Sequence, residues 1–103
     1  MTYKLIVSME AHKDADEITD YIARELDNIQ AAMSFLDDVE NSYRFIGENP
    51  YMYGLCANER LKEAGYRKIP IKNYLVIYRV DEAKKQVFIV RVIYGARNYA
   101  ELL

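Results

Sequence analysis

The sequence predicts an α+β domain in the order βααβββ, a helical hairpin packed on an antiparallel sheet. Three observations carry that prediction. The first half holds two stretches with apolar residues at three- and four-residue steps. The second half holds three runs rich in Val, Ile, Tyr and Phe separated by short polar turns, and one short apolar run precedes everything.

Tyr3 to Ser8 is that first run, partly β-branched and bounded by polar residues, and it reads as a strand. From Asp14 the period changes: Ala15, Ile18, Ile22 and Leu26 recur at helical steps while Asp14, Asp16, Glu17 and Asp20 fill other faces, predicting a helix over roughly 13–26. Asp27 followed by Gln30 resembles a capping box for a second helix, in which Ile29, Ala32, Leu36, Val39, Tyr43 and Ile46 keep a 3-4-3-4-3 spacing. Gly47 is suited to a left-handed cap and Asn49-Pro50 prevents continuation. The short connection makes the two helices antiparallel neighbours.

Residues 51–58 have no period and read as a loop, Glu59 to Ala64 as a helical turn, and Gly65 as a break. Tyr66–Ile71, Tyr74–Val80 and Gln86–Tyr94 then form a three-stranded meander joined by Lys72-Asn73 and by the charged turn Asp81 to Lys85. Pro70 cannot donate to a ladder, so its strand is expected to be interrupted or exposed there. A polar, helical tail is expected over Arg97 to Leu103.

The 103 residues suit one domain spanning 1–103, and the 51% hydrophobic and 29% charged composition is that of a globular chain. The longest apolar run, Val87 to Tyr94, is broken by Arg91 and falls far short of the roughly 20 residues that span a bilayer. The apolar stretch near the N-terminus is too short for a secretory signal, so a cytoplasmic location and no membrane partner are expected. Cys56 is the lone cysteine and His12 the lone histidine, far apart in sequence, so neither a metal site nor a cofactor is expected.

Charge divides along the chain. Residues 1–57 carry 4 Lys+Arg against 11 Asp+Glu, or −7, and residues 58–103 carry 10 against 5, or +5. Arg67, Arg79 and Arg91 lie in or beside apolar strands, with Lys62, Lys68 and Arg97 near strand ends. Together these make a candidate anion-binding surface, each arginine otherwise reaching solvent or a helix carboxylate. Most of the ten tyrosines are expected to be structural, but Tyr94 ends the last strand beside Gly95 and Arg97 and is expected at the rim of the sheet. No P-loop, dinucleotide glycine motif or Ser-His-Asp arrangement occurs.

Five segments together resemble the RelE/ParE superfamily of bacterial toxins: AxxDxxEIxxYI in helix one, ENP after helix two, LKEAGYRKI before the sheet, YLVIYRVD as the central strand, and the ending VFIVRVIYGARNYAELL. The resemblance covers nearly the whole chain. It implies the toxin half of a type II toxin-antitoxin module, neutralised by a cognate antitoxin protein, and leaves a homo-oligomer open. It implies one of two targets: the ribosome with its mRNA, cleaved as by RelE-like members, or DNA gyrase, poisoned as by ParE-like members. In the ribonuclease case Arg67, Arg91 and Tyr94 match catalytic positions, with Lys62, Lys68, Arg79 and Arg97 as target-binding cations. Leu75 stands where several ribonuclease members carry a catalytic arginine, the pI is near 5.4, and the GAR-N ending looks more like ParE sequences. A non-toxic, antitoxin-binding module is the alternative of a different class.

Overall fold

The computed structural model describes residues 2–95 and 98–103. Strand β1 (Lys4–Val7) leads into α1 (Met9–Arg24) and α2 (Ile29–Glu48). A short α3 (Glu59–Glu63), the strands β2 (Tyr66–Ile71), β3 (Tyr74–Asp81) and β4 (Gln86–Tyr94), and a 3₁₀ turn at Tyr99–Leu102 follow. The strand order is β1-β4-β3-β2. The expected antiparallel meander forms over β2 to β4, and the sheet as a whole is mixed because β1 pairs with β4 in parallel.

Both helices depart from their expected boundaries for reasons of capping. Ser8 caps α1 by accepting from the Ala11 amide, so the helix starts at Met9, a full turn before its visible apolar period. It ends at Arg24, which leaves Leu26 outside it and exposed. Asn28 rather than Asp27 caps α2, accepting from the Ala31 amide, while Asp27 sits at φ 48°. Gly47 takes no left-handed cap: it is helical and buried, and its carbonyl accepts from the Tyr3 amide at 2.8 Å, which ties β1 to the end of α2.

The buried stripe of α2 is Ala32, Phe35, Val39, Ser42 and Ile46, not the expected one. Ala32, Val39 and Ile46 belong to both stripes, but Phe35 and Ser42 replace Leu36 and Tyr43 as their fully buried neighbours, and Ile29 is 67% exposed. A serine on the buried side hides the true phase, and its hydroxyl is satisfied by the Val39 carbonyl at 2.7 Å. This face meets Val76, Tyr78, Val87, Ile89 and Val92 of the sheet. Tyr78 is fully buried and donates to the Pro50 carbonyl at 2.6 Å, and burial pushes its pKa up to about 12.

The opposite face of the sheet holds a second cluster of Cys56, Leu61, Ile77 and Ile93. Tyr99, Ala100, Leu102 and Leu103 pack against it, so the tail expected to be polar is a docked apolar one. Burial pushes the Cys56 thiol pKa up, which keeps it protonated and unreactive. Pro70 lies in edge strand β2 at an outward backbone position, in step with Tyr66 and Lys68, whose outward groups bond to Cys56 and Gly54. Its missing donor therefore costs no ladder bond.

Candidate target-binding site

Strand β4 outruns its neighbour. The β1 pairing stops at Val7 opposite Ile89, and the start of α1 takes over the edge left open beyond it. The Ser8 amide donates to the Ile89 carbonyl at 3.0 Å and the Ser8 hydroxyl to the Val90 carbonyl at 2.8 Å. Asp14 Oδ2 accepts from the Val92 amide at 3.0 Å and from Arg91 Nε at 2.7 Å, and Asp14 Oδ1 accepts from Arg91 Nη2 at 3.0 Å. The guanidinium is thus held by a two-pronged carboxylate contact. The hydrogen bond to Asp14 raises the arginine pKa further. A bulge at Val90 makes this possible: Ile89 pairs with Tyr78 and Arg91 with Ile77, so Val90 has no partner and the facing of β4 changes there. Val87, Ile89 and Val92 face the helices, which strict alternation forbids.

Beyond Asp14 an open cleft of about 540 Å³ lies between α1 and the end of β4, lined by Glu17, Ile18, Tyr21, Tyr74, Arg91 and Tyr94 among others. Tyr94 is 47% exposed and meets Tyr74 edge to face at 5.8 Å, while Tyr74 meets Phe35 in the same way at 5.2 Å. Burial, then the neighbouring Tyr21 and Tyr94, raise the Tyr74 pKa. The charged lining among the described residues is Asp14, Glu17 and Arg91, so the cleft has an acidic balance.

Arg91 and Tyr94 therefore share one cleft, but Arg67 does not join them. Its Nη1 donates to the Tyr53 carbonyl at 2.6 Å and its guanidinium lies 5.0 Å over the Tyr51 ring, which holds the loop after α2 against the sheet. Tyr51 and Tyr3 both donate to Glu82 Oε1, at 2.5 and 2.8 Å, so this corner is a polar clasp between distant segments. Lys62 on α3, Lys68 on β2 and Arg79 on β3 belong to the far side of the sheet, away from the cleft. Arg97 lies outside the described residues. Asp14, Ser8 and Glu82 escaped the sequence reading because short-range pattern gives a carboxylate or hydroxyl no address for a partner some 80 positions away. Among the described residues no group of His, Cys, Asp and Glu is placed to hold a metal ion, and no helix is long and apolar enough to cross a membrane.

Comparison with known proteins gives a consistent result. Residues 5–99 match the family model described as the ParE toxin of the type II toxin-antitoxin system parDE. Among solved structures, the chromosomal ParDE toxin-antitoxin system of P. aeruginosa is similar with a TM-score of 0.71 at 18% identity, over 90% of this chain and 96% of that one. A mutant of E. coli toxin RelE in the free state has a TM-score of 0.68 at 15% identity, over 99% and 93%. The RelBE2 toxin-antitoxin complex of Mycobacterium tuberculosis has 0.63 at 17%, over 91% and 99%. These likenesses are of fold. No curated protein sequence matches the chain.

Proposed function

We infer the role of this chain from its family: it belongs to the ParE toxins of type II toxin-antitoxin systems and is the toxin half of such a module. Its action, we propose, is to arrest growth by inhibiting DNA gyrase in the cytoplasm rather than by cutting ribosome-bound mRNA.

The commitment of Arg91 to Asp14 carries this reading. A ribonuclease must hold a phosphate with a cation and bring a proton-transfer group within about 3 Å of the reacting oxygen. Among the described residues Arg91 is the cation in the cleft, and the Nε–Nη2 edge of its guanidinium is already taken by a carboxylate that also balances its charge. Tyr94, the candidate proton donor, stands in a cleft whose remaining charge among the described residues is the Glu17 carboxylate, which repels a phosphate. Arg67, the third member of the ribonuclease set, is tied to the loop on another part of the sheet. Leu75 packs against the apolar tail cluster instead of offering a cation.

The same cleft suits a protein ligand. Tyr21, Leu26 and Tyr94 expose large apolar surfaces beside the two carboxylates, which fits the cognate antitoxin as partner, and several similar structures are of toxin-antitoxin complexes. The test is to assay the wild type and Tyr94→Phe for gyrase supercoiling and for ribosome-programmed mRNA cleavage. Supercoiling should be inhibited equally by both proteins, and neither should cleave. A cleavage activity that falls by about 10²-fold or more with the loss of the hydroxyl, the range for a general acid or base, would establish the ribonuclease instead.

A further inference from the structure

The sheet face turned away from α1 and α2 carries a row of side chains at matched register, one from each strand. Ile6 of β1 is opposite Phe88 of β4, Phe88 opposite Arg79 of β3, and Arg79 opposite Tyr66 of β2. Ile6, Phe88 and Arg79 alternate with residues packed under the helices, so they point the other way, and Tyr66 packs on that far side. The docked tail and α3 cover the adjoining Leu75, Ile77 and Ile93, leaving Arg79 exposed and Ile6 and Phe88 half-buried. The Arg79 guanidinium lies 5.6 Å over the Tyr66 ring. Neighbouring strands are about 4.8 Å apart, so Phe88 and the Arg79–Tyr66 stack form adjacent flat surfaces.

The row is bordered by lysines. Lys4 flanks the row on one side and Lys68 on the other, by alternation and register. Among the described residues none of Lys4, Lys68 and Arg79 is ion-paired, whereas Lys13 and Arg24 on α1, Lys72 in the turn after β2 and Arg91 at the edge of β4 each have a carboxylate; Arg44 and Arg67 on the helix side have none either. Asp81 is the acid on these strands' far face, and it accepts from the Lys84 amide. A flat aromatic and guanidinium row bordered by unpaired cations is what successive unstacked bases and their phosphates require, and an acidic peptide has no use for the aromatic part.

We propose that this row is a platform for single-stranded DNA, with bases on Phe88 and on the Arg79–Tyr66 stack and phosphates at Lys4 and Lys68. The choice of DNA over RNA rests on the gyrase reading.

The test is fluorescence anisotropy of the full chain with a labelled oligothymidylate of about 12 nucleotides, within the usual site sizes. The wild type should bind, and Arg79→Glu and Phe88→Leu should each weaken binding by about tenfold or more. Arg24→Glu makes the same charge change on α1 and should leave binding unaltered, with thermal melts checking that each variant is folded. Absence of wild-type binding, equal loss in Arg24→Glu, tighter binding of oligouridylate, or displacement by polyglutamate as readily as by unlabelled DNA would each overturn the platform. A parallel supercoiling assay separates the two claims: gyrase inhibition by a wild type that binds no oligonucleotide removes the platform alone, and binding without inhibition removes the gyrase reading alone.

Discussion

Replacing Phe35 by alanine should cost the fold about 3–5 kcal/mol, the largest loss expected from any single truncation in the helical hairpin. Phe35 is 1% exposed and fills the space between α2 and the sheet, where its ring meets Tyr74 edge to face. Truncation removes that packing and leaves a cavity under β3 that the rigid sheet can only partly close. It also loosens the support of Tyr74 and, through it, of Tyr94. Leu36→Ala at the neighbouring position should cost about 1 kcal/mol or less, since Leu36 is only half-buried and lies outside the core cluster. Urea denaturation of both variants gives the comparison. Equal losses, or a larger loss at Leu36, would mean that α2 is rotated relative to the arrangement described.

Replacing Asp14 by alanine should cost roughly 3 kcal/mol, near the lower end for breaking a buried ion pair because the side chains keep 12% and 23% exposure. Three hydrogen bonds are lost at once, the Arg91 charge is left without its partner, and the Val92 amide on the strand edge is orphaned. Adding Arg91→Met to this variant should recover part of the loss, because an apolar side chain of similar length needs no carboxylate. Equilibrium unfolding of the two single variants and the double variant provides the cycle. Purely additive losses would show that the pair is not coupled, and Arg91 would again be available to bind a target.

The resemblance of the motifs to RelE/ParE toxins is upheld by the family match, and the sequence predicted every strand of the meander to within a residue or so. Those features are local. A strand or helix that must bury one face writes its period into adjacent residues, and the turns Lys72-Asn73 and Asp81 to Lys85 mark where the chain reverses. The phase of α2 is legible only in part: Ala32, Val39 and Ile46 are buried as expected and Tyr43 packs at the edge of the core, while the buried Ser42 hides the side on which Phe35 lies.

The site was decided by tertiary structure. That Arg91 lacks a role within its own strand is evident from sequence, but its partner Asp14 is 77 positions away and was one acid among many on α1. The bulge at Val90 that changes the facing of β4 is marked by no glycine or proline in the run Val87 to Tyr94. The separation of Arg67 from the cleft of Arg91 and Tyr94 depends on which strands lie side by side in the order β1-β4-β3-β2. Periodicity carries information over one or two turns of chain. Which carboxylate meets which arginine is settled only when distant elements pack and a charge excluded from water must find a counter-charge.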